Sequence, residues 1–177
     1  MHGRTYRIAL GGVLTALAVS VMFLGGVIPL TTYISPAIAS IAVLYFAVEY
    51  GTKYALGIYV SIAVIVLLLS PDKEQALLFA CFLGWYPAVK FPLELRFKGL
   101  ALPVIKASIC SACVTGLYYI ITKVFVLDAV REEFSQYSTA IVVVLAILGL
   151  FTFMVFDVAL TRLVFLWRTV WRSKFIK

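Results

Sequence analysis

Side chains that could carry out catalysis are scarce in this sequence of 177 residues. The single histidine, His2, lies at a chain end, where fraying makes a poor catalytic position. No histidine and carboxylate residues cluster with the spacing of a metal site, and no nucleophile has a base placed near it. A glycine-rich phosphate loop is absent as well. The sequence therefore predicts a protein that is not an enzyme, needs no metal or cofactor and does not itself hydrolyse ATP.

Two further chemical features lie inside apolar segments. Cys110 and Cys113 have the C-x-x-C spacing of redox sites, but their apolar surroundings favour buried thiols that pack as small apolar side chains. Asp157 is the one carboxylate within a predicted membrane span. Because a charge in lipid is costly and usually paired, Lys106 or Arg162 is its expected partner. We expect a structural ion pair, and the alternative is a proton or substrate site.

A candidate small-molecule site lies toward one predicted membrane face. Aromatic walls with a few charged or amide groups at one end suit a flat, polar ligand. An interfacial aromatic belt with loop charges explains the tyrosines equally well. It explains Trp85 and Tyr86 less well, because they lie about 15 Å below Gln75 on a continuous helix. The candidate substrate-binding residues are Tyr33, Lys73, Glu74, Gln75, Trp85, Tyr86, Tyr118, Tyr119 and Lys123.

The composition of the chain indicates whether these residues belong to a soluble protein or to a membrane protein. Apolar residues make up 64% of the chain and charged residues 13%, and the mean hydropathy is +1.09. A soluble domain is closer to about half apolar and about a quarter charged. The sequence therefore predicts an all-α integral membrane protein. Its first apolar run exceeds the core of a secretory signal, so we expect a transmembrane helix there.

Polar breaks divide the chain into six candidate transmembrane helices, which we expect to form one compact bundle. The first apolar stretch, which contains IALGGVLTALAVSVMFLGGVIPL, can cross a ~30 Å hydrocarbon core at ~1.5 Å per residue. The predicted spans are residues 8–28, 35–48, 54–69, 75–91, 104–126 and 137–160. Residues 161–177 are rich in arginine and tryptophan and are predicted to anchor the chain at the lipid headgroups. The alternative for this segment is a contact with a cytoplasmic partner.

The distribution of lysine and arginine predicts the orientation. With both termini on one side, that side holds twelve of the 15 Lys and Arg residues, and the opposite side holds Lys73, Lys123 and Arg131. This bias predicts that both termini lie in the cytoplasm and that the protein lies in the cytoplasmic membrane. The same distribution accounts for the net charge of +7. It argues against a nucleic-acid partner, because the cations are spread over several segments and form no single patch.

Small residues line one face of the first predicted helix. Gly12, Ala16 and Ser20 are spaced four apart, and we call them the small-residue strip. Residues four apart share a helix face, and small ones let another helix backbone come close. Such close approach matters in lipid, where apolar side chains gain little by leaving equally apolar surroundings. The strip is interpreted as a docking face for another membrane protein, and ordinary packing within the chain is the alternative.

These features resemble a known family. Six spans, cytoplasmic termini and a basic start that runs into ALGGVLTALAV are similar to the substrate-binding S components of energy-coupling factor vitamin transporters. In that family a small-xxx-small motif on the first helix docks on a shared transmembrane coupling subunit. Gly12 and Ala16 stand at the matching positions, with glycine where alanine is usual. The resemblance implies an outward-opening substrate cavity, covered by the first loop and lined by helices four to six, and two separate ATPase subunits. No vitamin-specific signature is present, which indicates a divergent or orphan member.

Three functions from different classes compete. The first is a binding subunit of an importer, and the second is a non-catalytic scaffold like the small multi-span proteins of bacterial cell-shape complexes. The third is a small lipid-modifying membrane enzyme centred on Asp157 and the 90–106 connection, which the lack of a usable histidine and of clustered carboxylates disfavours. An importer subunit needs an outward cavity and a scaffold needs only docking faces.

Overall fold

The computed structural model describes residues 3–28, 31–97, 101–123, 139–167 and 169. These residues form seven α-helices and one π-helical turn, and none of them lies in a β-strand. The helices are α1 (Arg4–Gly25), α2 (Ile34–Glu49), α3 (Thr52–Leu69), α4 (Lys73–Leu78), α5 (Tyr86–Arg96), α6 (Ala101–Lys123) and α7 (Thr139–Leu166), and the π-helical turn is Phe79–Leu83. The chain divides into two compact units, unit 1 (Met1–Leu102) and unit 2 (Pro103–Lys177).

Three of the helices have the length and apolarity that a membrane crossing needs. They are Thr5–Gly25, Thr52–Leu69 and Ile147–Leu166, and the apolar helices Ile34–Glu49 and Leu102–Gly116 are shorter. Large apolar side chains on them face outward, with Leu24 67% exposed and Leu68 75% exposed. A large apolar surface of this kind marks contact with lipid or with protein. The all-helical fold and its association with a membrane follow from these findings, while six spans and two cytoplasmic termini stay predictions.

Unit 1 is built around α2, which packs against α1, α3 and α5. The core contains Met22 of α1, Val43 and Phe46 of α2 and Ile62 of α3, all almost completely buried. Gly51 makes the sharp turn between α2 and α3 at φ 90°, a backbone conformation that favours glycine. Successive helices therefore run in opposite directions, which brings the end of α1 beside the start of α2.

The fourth predicted span, 75–91, is not one continuous α-helix. It consists of α4, the π-helical turn and α5. Asp72 begins α4 by accepting a hydrogen bond from the Gln75 backbone N–H at 3.1 Å. Farther along, the Gly84 N–H donates to the Phe79 carbonyl at 2.8 Å, five residues back. Pro87, which has no backbone N–H, then lies in the first turn of α5, where that lack costs least.

Helix lies within each of the other predicted spans, and the boundaries shift by a few residues. The first helix ends at Gly25, short of the predicted residue 28, and α7 continues to Leu166, beyond the predicted residue 160. Arg168 and residues 170–177 of the predicted interfacial segment lie outside the described residues. Hydroxyl side chains on these helices bond to the carbonyl four residues back, as Thr152 does to Leu148 at 2.9 Å. Such internal bonds satisfy a hydroxyl that lipid cannot.

Two glycines of α1 predict opposite responses to the same change. A Cβ atom on Gly25 would lie 2.5 Å from the Ser35 Cβ and 3.0 Å from Gln75 Nε2, whereas one on Gly12 would meet no atom within 4 Å. We expect Gly25→Ala to lower the free energy of unfolding by about 1–3 kcal/mol, because α1 must move away from α2. Gly12→Ala should leave it unchanged or raise it by up to about 1 kcal/mol. Thermal unfolding of both purified variants in one detergent measures the difference, and equal midpoints would contradict this packing.

Candidate functional site

The small-residue strip is exposed and lines a groove between α1 and α3. The opposite wall carries Gly57 and Ser61 of α3, and a Cβ on Gly57 would meet no atom within 4 Å. The groove has a volume of about 910 Å³ and is open on one side. Small residues therefore face each other across it, which gives a second helix room to approach both backbones closely.

Two adjacent glycines of α1 have different surroundings. A Cβ on Gly11 would lie 2.8 Å from Ile58 Cδ1 and 3.5 Å from Phe46 Cζ, so Gly11 lets α1 pack closely on its neighbours. Gly12 points to the open side. The groove exists because the tight contact at Gly11 brings α1 and α3 together while their small outward residues leave space between them.

Two hydroxyl groups of the groove are satisfied within their own helices. Ser20 donates to the Ala16 carbonyl at 2.9 Å, and Ser61 donates to the Gly57 carbonyl at 3.0 Å. A hydroxyl with an internal partner makes less demand on an incoming molecule. Along most of its length the groove therefore offers an apolar surface, and its charged residues, Arg7 and Lys53, line one end. We call that end of unit 1 the Arg7 end.

The opposite end of α1 brings several predicted substrate-binding residues together, and we call it the Gln75 end. The Tyr33 hydroxyl donates to Glu74 Oε1 at 3.0 Å. The Lys73 ammonium group donates to the Leu67 carbonyl at 2.9 Å, at the end of α3. Tyr33 is 62% exposed, and Glu74 is partly buried. The start of α2, the end of α3 and the start of α4 thus meet in one polar group of side chains.

Gln75 is the buried member of this group. Its side chain is completely buried, and neither Oε1 nor Nε2 has a hydrogen-bond partner among the described residues. The carboxamide lies against the backbone of Gly25 and Gly26, since a Cβ atom on either glycine would come within 3.0 Å of it. An unpartnered buried amide is costly, typically by about 1–3 kcal/mol. This group is therefore the polar feature at this end that most lacks a binding partner.

Trp85 and Tyr86 lie farther along the same segment, beyond the π-helical turn. Trp85 donates its indole N–H to the Cys81 carbonyl at 2.9 Å and is partly buried. Tyr86 is 1% exposed and so faces the interior of the structure. The rest of α4 and the π-helical turn separate both residues from Gln75. Trp85 and Tyr86 are therefore farther along the chain from the Gln75 end than Glu74 is.

The remaining candidate substrate residues belong to unit 2. Tyr118, Tyr119 and Lys123 lie in α6, where Tyr119 is 62% exposed. The side chains of Tyr118 and Lys123 lie outside the described residues. Their convergence with Lys73 and Trp85 on a single cavity stays a prediction.

Asp157 forms an ion pair within unit 2. Its Oδ2 atom lies 2.7 Å from the Lys106 ammonium nitrogen, and the two side chains are 15% and 12% exposed. Lys106 is one of the two partners that the sequence suggests. The pair joins α6 to α7 and neutralises both charges in largely apolar surroundings. Among the described residues, no group of three or more His, Cys, Asp or Glu side chains is arranged to hold a metal ion.

Two features of unit 1 were missed in the sequence. Gly57 and Ser61 have the same four-residue spacing as the strip on α1, and that spacing could have predicted the second wall of the groove. Lys90, which the sequence interpretation assigns to a polar connection, is completely buried in α5 and lies 3.1 Å from Glu94. The Lys-x-x-x-Glu spacing is the signal that could have placed this pair on one helix face.

No protein-family model matches this chain, and neither curated proteins nor solved structures give a match.

Removing one member of the Lys106 and Asp157 pair should cost more than removing both. Asp157→Leu or Lys106→Met leaves a buried charge without its partner, and we expect a loss of about 3–5 kcal/mol in the free energy of unfolding. The double variant should regain most of that loss, because two apolar side chains need no partner. Unfolding of the four proteins in one detergent measures the coupling. Strictly additive losses would show that the pair contributes nothing.

Gln75→Met should stabilise the ligand-free protein. Methionine has a similar shape and no polar group to satisfy, so we expect the free energy of unfolding to rise by about 1–3 kcal/mol. Glu74→Gln is the matched control, since its amide oxygen can still accept from Tyr33 and the change should stay within about 0.5 kcal/mol. Thermal unfolding of purified protein tests both variants. A clear loss of stability in Gln75→Met would mean that the carboxamide is satisfied in the free protein.

Proposed function

We propose that this chain is the substrate-binding subunit of a membrane importer of the energy-coupling factor type. It captures a small vitamin-like molecule from outside the cell and docks on a separate transmembrane coupling subunit. Two ATPase subunits of the complex supply the energy, and the chain itself is not an enzyme. The protein lies in the cytoplasmic membrane with both termini in the cytoplasm.

The observation that carries this proposal is the groove with the small-residue strip on its wall. Gly12, Ala16 and Ser20 are exposed on a helix whose other exposed apolar residues include large ones such as Leu17 and Leu24. Bulky apolar residues would serve as well as small ones on a face that meets only lipid. Small residues gain their advantage where another helix backbone comes close. The occupant we assign is a transmembrane helix of the coupling subunit.

The Gln75 end supports the capture of a polar small molecule. It combines the hydroxyl of Tyr33, the carboxylate of Glu74 and the buried carboxamide of Gln75. The amide offers both a donor and an acceptor, which matches a ligand that carries an amide or a similar ring edge. Positive-inside orientation puts this end on the outer side of the membrane, away from the ATPases.

Copurification from membranes of the native host tests the docking. We expect the tagged wild-type chain to retain a multi-span coupling protein and two proteins with phosphate-loop ATPase sequences. Ala16→Trp should reduce that yield about tenfold or more, because a bulky ring keeps the partner helix from the backbone. Leu17→Trp is the control, since Leu17 is 58% exposed on the same helix and does not line the groove. Mass spectrometry quantifies the copurifying proteins.

Two results would overturn the proposal. Equal yields from wild type and Ala16→Trp would show that the strip is not the docking face. A wild-type chain that copurifies with other membrane proteins but with no ATPase would instead support the scaffold function. Extraction of the same samples for small molecules tests ligand capture separately, and a chain that retains no small molecule would contradict it.

A further inference from the structure

Arg7 is held in a fixed position at the Arg7 end of the groove. Its guanidinium carbon lies 5.4 Å from the centre of the Tyr50 ring and 5.7 Å from that of Tyr54. Both distances are within the range of cation–π attraction. The two rings come from the end of α2 and the start of α3, so the turn at Gly51 presents the charge at the entrance of the groove. Lys53 lines the same end and adds a second, exposed cation.

The charge of Arg7 is not neutralised by the residues that the structure describes. Neither Arg7 nor Lys53 forms an ion pair with a described carboxylate. The Nε–H of Arg7 is buried and has no acceptor among the described residues. A buried donor on a charged group is costly to leave without an acceptor. Arg7 and Lys53 both line the groove without a described carboxylate partner, so the charge at this end favours an anion in the groove.

The length and the apolar lining of the groove indicate the shape of the molecule that it could bind. From Arg7 to Ser20 the lining of α1 extends over thirteen helical steps, or about 20 Å at 1.5 Å per residue. One leaflet contributes about 15 Å to a hydrocarbon core of about 30 Å. The groove is apolar along this length and carries its cations at one end. These are the properties of a site for an amphiphile with an anionic head and a hydrocarbon chain.

We propose that the groove binds one anionic glycerophospholipid from the leaflet at the Arg7 end. Its phosphate accepts hydrogen bonds from Arg7 and Lys53, and one acyl chain lies between the strip on α1 and Gly57 of α3. Basic pockets between transmembrane helices bind anionic headgroups in this manner. Arginine suits the role because its planar group presents several donors to a phosphate. This site stands on the geometry of Arg7 and does not rest on the proposed importer function.

Native mass spectrometry of the full chain in detergent tests the proposal. The probes are phosphatidylglycerol and phosphatidylcholine with identical acyl chains, each titrated into delipidated protein. We expect one phosphatidylglycerol to bind at least about tenfold more tightly than phosphatidylcholine, because only the anionic head adds net charge complementarity. Arg7→Gln should reduce phosphatidylglycerol binding about tenfold or more through the loss of a charge-assisted phosphate contact.

Three further variants separate charge, shape and folding. Lys53→Gln changes an exposed residue and should weaken binding of phosphatidylglycerol without affecting the fold. Gly57→Leu fills the groove and should weaken binding of both lipids, because the acyl chain loses its place. Arg96→Gln removes an exposed cation of unit 1 that does not line the groove and should bind like the wild type.

Equal affinity of the wild type for the two lipids, or unchanged binding in both Arg7→Gln and Lys53→Gln, would overturn the proposal. So would a wild-type chain that takes up neither phospholipid. Failure here is distinct from failure of the importer proposal, because that test measures copurifying ATPases and this one measures a lipid on the isolated chain.

Discussion

Close contact of α1 with α2 and α3 depends on glycine at two of its buried positions, Gly11 and Gly25. At Gly11 the neighbouring side chains of Ile58 and Phe46 fill the space that a Cβ atom would need, and at Gly25 the side chain of Ser35 does so. In lipid, such contacts carry the stabilisation that the hydrophobic effect provides in water. The distance between α1 and α3, and with it the width of the groove, follows from this packing. On the outward face of the same helix, a Cβ on Gly12 would meet no atom within 4 Å, so packing of the described residues does not explain the small residue there.

Unit 1 has two places where buried polar side-chain atoms lack a described hydrogen-bond partner. In the part of the chain that the structure describes, the buried side-chain nitrogen and oxygen atoms without a hydrogen-bond partner are Arg7 Nε and the two carboxamide atoms of Gln75. Several hydroxyls bond to backbone carbonyls one turn earlier, as those of Ser20 and Ser61 do. Arg7 and Gln75 lie near opposite ends of α1, which is about 33 Å long for its 22 residues. The two proposed ligands would therefore bind near opposite ends of this helix.

The sequence predicted those parts of the molecule that depend on local pattern. Apolar runs bounded by proline and charge located α1, α2 and α3 to within a few residues, because a membrane helix is defined by its solvent along the whole of its length. The break in the fourth span was missed, since the π-helical turn depends on where the Gly84 N–H finds its acceptor, and hydropathy does not report this. The spacing on α1 indicated an outward strip, but spacing alone could not tell Gly11, which packs inward, from Gly12, which is exposed. The cation–π contacts of Arg7 could not be predicted from the sequence, because they depend on where the α2–α3 turn places Tyr50 and Tyr54.

A docking helix and a lipid make different demands on the same groove. Helix association in lipid gains from close backbone packing and from the release of lipid, so the groove's small residues matter along their whole length. The proposed lipid binding would depend most strongly on one end, where the Arg7 guanidinium group lies near the rings of Tyr50 and Tyr54. If both proposals hold, a partner helix that enters the groove would displace the acyl chain, and the bound lipid would weaken the apparent affinity of that helix. Charge at the Arg7 end would thus tune how readily the small-residue strip becomes available, without any change in the strip itself.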